Sequence, residues 1–83
     1  MKRFMAKCID NVLGLDMVYS DCSYNMACFQ LECEGFNLES AITKNIKGNN
    51  YDVLIGIMNN ERIYLVYDEN RGYLMLDTNK KYF

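Results

Sequence analysis

The residues that carry most acid–base and nucleophilic catalysis are sparse in this chain of 83 residues. It has no histidine, which removes the most common general base, the Ser-His-Asp and Cys-His nucleophile systems and every histidine-containing zinc site. Its five glycines are scattered and form neither a Gly-x-Gly-x-x-Gly run nor a phosphate-binding loop. We therefore expect a protein that is not an enzyme and that binds no cofactor.

Four cysteines are the remaining candidates for metal or redox chemistry: Cys8, Cys22, Cys28 and Cys33. Their spacing lacks the paired Cys-x-x-Cys of structural zinc sites. We predict that they are free, mostly buried thiols that pack as small apolar side chains, and that no metal is bound.

The start of the chain decides the expected compartment. Met1, Lys2 and Arg3 resemble the basic start of a signal peptide, but Lys7 and Asp10 interrupt the apolar stretch that follows, so no export signal is predicted. No stretch approaches the roughly 18 consecutive apolar residues of a membrane-spanning helix. We therefore expect a cytoplasmic protein without disulfides that does not bind membranes.

Glu32 and Glu34 form the one carboxylate pair that could do chemistry. The segment Cys28 to Glu34 alternates apolar and polar residues, which predicts a strand with both glutamates on one face. Such a pair holds a divalent cation or divides the roles of acid and base. The competing interpretation is a solvated strand face, where alternating glutamates are common.

Charge is segregated along the chain, whose net charge is −2. Residues 8 to 43 contain six acidic residues and no lysine or arginine. This predicts binding to a basic surface of another protein rather than to nucleic acid, although acidity also serves solubility alone. The predicted partner-binding residues are four of these acids and the tyrosines interleaved with them: Asp16, Tyr19, Asp21, Tyr24, Glu32 and Glu34.

The elements that must position these residues follow from periodicity and turn signals. Apolar spacing favours a helix over residues 1–13, and Asn37 is a good N-cap for a short helix that ends at Gly48. Strands are predicted at Leu15 to Tyr19 and at Cys28 to Glu34. A three-stranded antiparallel meander follows, with strands at Tyr51 to Met58, Arg62 to Asp68 and Tyr73 to Asp77.

The predicted fold is a small single α+β domain, residues 1–83, with an antiparallel sheet packed by one or two short helices. A three-residue loop after Met58 would place Ile55 on the face of Ile63, and we prefer that register to the two-residue alternative. Both faces of the sheet carry apolar residues. The second face then needs another helix, a further strand layer or a second subunit.

The run Lys7, Cys8, Ile9, Asp10 and Asn11 resembles the opening of many short uncharacterised proteins encoded by phages and prophages of low-GC Gram-positive bacteria. In those relatives the run often forms a first strand, which conflicts with the helix predicted above. The resemblance implies an origin in a phage or mobile element. Such genomes encode small acidic proteins that bind and block host machinery in the host cytoplasm, including anti-defence proteins.

Three functional hypotheses follow. The first is a non-enzymatic binding protein, a phage or mobile-element inhibitor that occupies a basic surface of a host protein with its acidic segment. The second is a homo-oligomer that sequesters a small ligand between subunits, with the surplus apolar sheet face as the interface. The third is an enzyme that uses Glu32 and Glu34.

Overall fold

The structure, a computed structural model, describes residues 8–82 and contains one helix and five strands in that range. The elements are β1 (Asp16–Tyr19), α1 (Tyr24–Cys33), β2 (Asn37–Ile46), β3 (Asn49–Met58), β4 (Glu61–Asp68) and β5 (Tyr73–Leu76). The strands form one antiparallel sheet in the order β1-β5-β4-β3-β2, so β1 and β2 are its edges. This confirms the broad α+β class, in which the helical part is minor.

Helix α1 replaces the strand predicted at Cys28 to Glu34. Ser23 is its N-cap, and the Ser23 hydroxyl accepts a hydrogen bond from the Met26 N–H at 3.2 Å. Ala27 and Leu31, four residues apart, are buried against the sheet. Gly35, with a φ of +93°, follows the helix end. The strand prediction is wrong because packing on the sheet selects this helical pair over the local alternation.

Strand β2 replaces the helix predicted from Asn37 to Gly48. A two-residue turn, Lys47 and Gly48, with φ angles of +53° and +86°, joins β2 to β3 as an antiparallel hairpin. Asn37 is paired with Ile57 rather than capping a helix. The prediction is wrong because the hairpin turn and the pairing with β3 override the helical spacing of the isoleucines.

The helix predicted for residues 1–13 lies partly outside the described residues, since 1–7 are not among them. Its described part is not helical. Ile9 forms an isolated antiparallel bridge with Asp16, and the Met17 N–H donates to the Cys8 carbonyl oxygen at 2.8 Å. The chain then turns back toward β1 at Gly14, which has a φ of +72°.

The preferred register between β3 and β4 is also wrong. Asn59 and Asn60 form a two-residue turn with φ angles of +54° and +62°. Asparagine tolerates this left-handed conformation better than other side chains do. Ile55 therefore lies opposite Tyr64, which is the register of the two-residue loop.

Both faces of the sheet are apolar and both are covered. One core lies under α1 and consists of Val18, Ala27, Leu31, Phe36, Leu54, Met58, Leu65, Tyr67 and Leu74. The core on the opposite face consists of Leu13, Leu15, Met17, Ile46, Tyr51, Val53, Val66 and Met75, with Tyr82 packed against it. The second face is therefore covered by residues 8–15 and by the C-terminal turn, residues 77–82. The expected cover was a second helix, a further strand layer or a second subunit.

A partly buried ion cluster fastens residues 8–15 to the turn between β4 and β5. Arg71 donates from Nε to Asp68 Oδ2 at 2.6 Å, and from Nη1 and Nη2 to the two Asp10 oxygens at 2.7 and 3.2 Å. Asp10 also accepts from the Leu13 N–H at 2.9 Å. Burial raises the pKa of Asp10, but its bonds to Arg71 and Leu13 outweigh burial and hold the pKa below its ordinary value of 3.8.

Replacing Asp10 by asparagine should lower the free energy of unfolding by about 2 kcal/mol near neutral pH, because a buried charged hydrogen-bond pair is lost. The lowered folded-state pKa means that this contribution is present above the ordinary carboxyl pKa and is lost as pH falls through the folded value. Urea denaturation of both proteins near neutral pH and in acid should therefore show a difference that shrinks in acid.

The matched control is Glu39→Gln, which removes an exposed ion pair of 2.9 Å between Glu39 and Arg62. Exposed pairs contribute little, so this variant should lose less than about 0.5 kcal/mol. Equal losses at Asp10 and Glu39 would show that the partly buried cluster has no special role in stability.

Candidate protein-binding surface

The two predicted site glutamates lie on opposite flanks of α1. Glu32 is in the last turn of the helix and lines a groove beside β2. Glu34 is the C-cap of the helix. Burial raises the pKa of Tyr19 on β1, at the other edge of the sheet, and the negative charge of Glu34 adds to that shift. Since neither glutamate lies on a strand, the shared strand face assumed for them does not exist. The structure therefore removes the geometric basis of the carboxylate-pair hypothesis.

The other two predicted acids are separate from Glu32. Asp16 begins β1, and one of its oxygens accepts from the Thr78 hydroxyl at 3.3 Å. Asp21 is exposed between β1 and α1, with a φ of +52°. The four predicted acids thus lie at separate places on β1, on α1 and between them. The structure does not bring all six predicted residues together.

Tyr19 and Tyr24 pack partly into the fold. Both contact the core under α1 and are only partly exposed. The Tyr24 ring meets the Tyr67 ring edge to face, with the centroids 5.7 Å apart, and the Tyr67 hydroxyl donates to the Cys22 carbonyl oxygen at 2.6 Å. These contacts fasten the start of α1 to β4, which gives Tyr24 a structural role in addition to its predicted role in binding.

A groove of about 280 Å³ lies between the second half of α1 and the start of β2. Leu31 and Leu54 line it from the core, and Glu32 lines it from the helix. Leu38, which is 51% exposed, lines it from β2. Gly56 lies close to where the chain enters β2, since a Cβ there would collide with the Asn37 carbonyl oxygen and the Phe36 ring. The result is a groove with an apolar base and polar side chains, Glu32 and Asn37, in its lining.

The outer surface of α1 carries two exposed apolar side chains that the sequence analysis did not select. Met26 is 54% exposed and Phe29 is 60% exposed. They are three residues apart and therefore adjacent on the helix surface, and Phe29 is likewise three residues from Glu32. The sequence indicates this exposure only when residues 24–33 are assigned as a helix. Ala27 and Leu31 then form its buried side, and Met26 and Phe29 lie outside that side.

Comparison of the chain with protein-family models, with curated proteins and with solved structures finds no match. Within residues 8–82, no helix has the length and apolar character that crossing a membrane requires. In the same part of the chain, cysteines and carboxylates do not gather in groups of three that could hold a metal ion. The candidate site is therefore defined by its geometry alone.

The four cysteines have free thiols in the structure, but the prediction that they are mostly buried is wrong. Cys8 and Cys33 are exposed, and Cys22 and Cys28 are half-buried. The Cys22 thiol donates to the Gly72 carbonyl oxygen at 3.5 Å. Burial raises the pKa of Cys22, and the nearby Asp21 carboxylate adds to that shift.

In the native protein we expect Cys8 and Cys33 to react with a thiol reagent before Cys22 does. The reactive species is the thiolate, and exposure favours Cys8 and Cys33 whereas the raised pKa disfavours Cys22. Mass spectrometry of peptides after timed alkylation at mildly alkaline pH measures the rate at each cysteine. Denatured protein is the control, because there all four should react at similar rates; Cys22 reacting as fast as Cys33 in the native state would contradict the structure.

Proposed function

We propose that this chain is a non-enzymatic protein-binding domain that holds a basic surface of its partner against the outer side of α1. The observation that carries the proposal is the exposure of Phe29 beside the acidic Glu32. A large apolar side chain in water is unfavourable, and covering one completely is worth about 1.5–3 kcal/mol. Aromatic side chains surrounded by polar residues are the common anchors of protein interfaces.

Met26 enlarges the apolar surface and suits it to binding. Its flexible thioether side chain adapts to the shape of a partner, and it lies next to Phe29 on the helix. The two buried helix residues, Ala27 and Leu31, hold the other side of α1 on the sheet. A partner would therefore meet a surface that is already fixed in place, which reduces the entropy lost on binding.

Charge specifies the partner. Residues 8–43 contain acids and no lysine or arginine, and all of α1 lies in this range. Lysine or arginine on the partner would pair with Glu32 at the edge of the apolar contact, and the acidic field would speed association. The predicted acids on the β1 side, Asp16 and Glu34, contribute to that field without touching the same contact.

We further propose that the domain acts in the cytoplasm as an inhibitor encoded by a phage or mobile element, which blocks a host protein, such as a defence protein, by covering its basic surface. The support for this is the resemblance of residues 7–11 to small phage proteins, together with the acidic charge. The oligomeric ligand-binding alternative rested on an uncovered sheet face. Leu13, Leu15 and Tyr82 fill much of that face, which leaves little of its apolar surface for a subunit interface.

The test begins with a partner captured by the tagged protein from host lysate and then purified. Phe29→Ser should weaken its binding at least about thirtyfold, as expected for a central anchor worth 2 kcal/mol or more. Glu32→Lys should weaken binding and reduce its dependence on salt, because a screened attraction is removed. Titration by biolayer interferometry at two salt concentrations measures both effects.

Two matched controls keep the result specific. Gln30→Ser changes an exposed residue next to Phe29 in sequence, and Glu69→Lys makes the same charge reversal in the turn between β4 and β5. Both variants should bind within about threefold of the original protein, since changes at a rim or outside the interface are small. A Phe29→Ser protein that is folded by circular dichroism and binds the partner at full strength would refute the proposal.

A further inference from the structure

The two edges of the sheet differ in how they are protected. β1 has four residues, and its outer edge is occupied by residues 8–10: the Met17 N–H donates to the Cys8 carbonyl oxygen at 2.8 Å, and the Asp10 N–H to the Leu15 carbonyl oxygen at 2.8 Å. β2 has ten residues, and among residues 8–82 no strand lies beyond it. An open edge of this length is a template for pairing with another strand.

The hairpin geometry identifies the backbone groups at the open edge. Ile46 and Asn49 flank the two-residue turn and so form a hydrogen-bonded pair, and such pairs alternate along antiparallel strands. Lys44, Ile42 and Ser40 therefore bond to β3. Ala41, Thr43 and Asn45 direct their N–H and carbonyl groups away from it, toward the open edge.

The candidate groove adjoins the start of this edge. Asn37 and Leu38 line the groove from β2, and Glu32 lines it from α1. In a strand added beside β2, every second side chain would lie on the helix side of the sheet. The groove offers such a side chain an apolar floor, formed by Leu31 and Leu54.

Charge complementarity selects the occupant. Glu32 is the one charged residue among those that line the groove, whereas Glu39, at the same end of β2, is paired with Arg62 at 2.9 Å. The nearest lysine in sequence is Lys44, farther along β2, where its Nζ donates to the Tyr82 carbonyl oxygen. An extended segment with a basic and an apolar side chain two residues apart, on one face, matches this arrangement, and an acidic segment does not.

We infer that β2 accepts an extended segment of the partner as a sixth strand, with an apolar side chain in the groove and a lysine or arginine against Glu32. The inference rests on the proposed function and deepens it, since it states what the partner inserts beside α1. Backbone hydrogen bonds to Ala41, Thr43 and Asn45 hold the segment, and the groove selects its side chains. Phe29 and Met26 contact the part of the partner outside that segment.

The test uses isotope-labelled protein and an acetylated eight-residue peptide in which every second residue is in turn leucine or lysine, with threonine between them, so that leucine and lysine share one face of the strand. On titration followed by NMR, the amide signals of Ala41, Thr43 and Asn45 should shift and their hydrogen exchange should slow at least about tenfold, since they gain hydrogen bonds. The same peptide with glutamate for lysine should bind at least about tenfold more weakly.

Backbone methylation of the peptide isolates strand addition without altering the protein. Methylating the amides at one set of alternate positions removes the donors that face β2 and should abolish binding, whereas methylating the other set should preserve it. Equal binding by the two methylated peptides would overturn the inference. So would a free protein that sediments as a dimer in which the Thr43 amide is already protected, because a second copy would then occupy the edge.

The two proposals fail separately. If the peptide does not bind β2 while Phe29→Ser still abolishes capture of the partner, strand addition is wrong and the helix surface stands. If the peptide binds β2 with the expected methylation pattern while Phe29→Ser leaves capture unchanged, strand addition is supported and α1 is removed from the interface.

Discussion

A five-stranded sheet that is apolar on both faces has to be covered twice, and within residues 8–82 the chain has one helix with which to do it. α1 covers the first face. Residues 8–15 and residues 77–82 cover the second, with backbone hydrogen bonds such as that from the Asp10 N–H to the Leu15 carbonyl oxygen. Side chains add to these bonds: Arg71 donates to Asp10, and the buried Asp77 accepts from the backbone N–H groups of Lys81 and Tyr82. The second core depends on these few contacts.

The small size of the domain also leaves the candidate binding surface on α1 exposed. A domain of this size buries only about 60% of the surface that its unfolded chain exposes, so a single layer of helix has nothing to pack on its outer side. Met26 and Phe29 are therefore exposed on α1, and β2 has no neighbour among residues 8–82. An apolar helix surface and an open strand edge are unfavourable in isolation, and exposed surfaces of both kinds are typical of sites where proteins associate.

The sequence predicts the second half of the fold better than the first. The strands predicted near the C-terminal end overlap β3, β4 and β5, because alternating β-branched and aromatic residues between asparagine and glycine turns have no good helical alternative. In residues 24–46 the apolar residues fit both the period of a helix and the period of a strand. Leu31 fits an alternation with Phe29 and also a helical pair with Ala27, so only packing on the sheet decides between them.

The exchange of helix and strand in that region also explains what the sequence missed at the site. Acidic character depends only on residue type, so the sequence predicts Glu32 as a binding residue whether it lies on a strand or on a helix. The neighbours of Glu32 are a property of geometry. Assigned to a strand, Glu32 pairs with Glu34; on α1, it lies beside Phe29 and across a groove from Leu38.

The placement of that groove follows from strand direction. Four successive antiparallel pairings make β1 and β2 parallel at opposite edges, so the chain between them has to cross the whole sheet, and α1 is that crossing. The helix must end where β2 begins. Gly56 permits this because its missing side chain leaves room for Phe36 and the Asn37 backbone. The acidic end of α1 thus lies beside the start of the edge that no strand among residues 8–82 covers, and the topology is the reason.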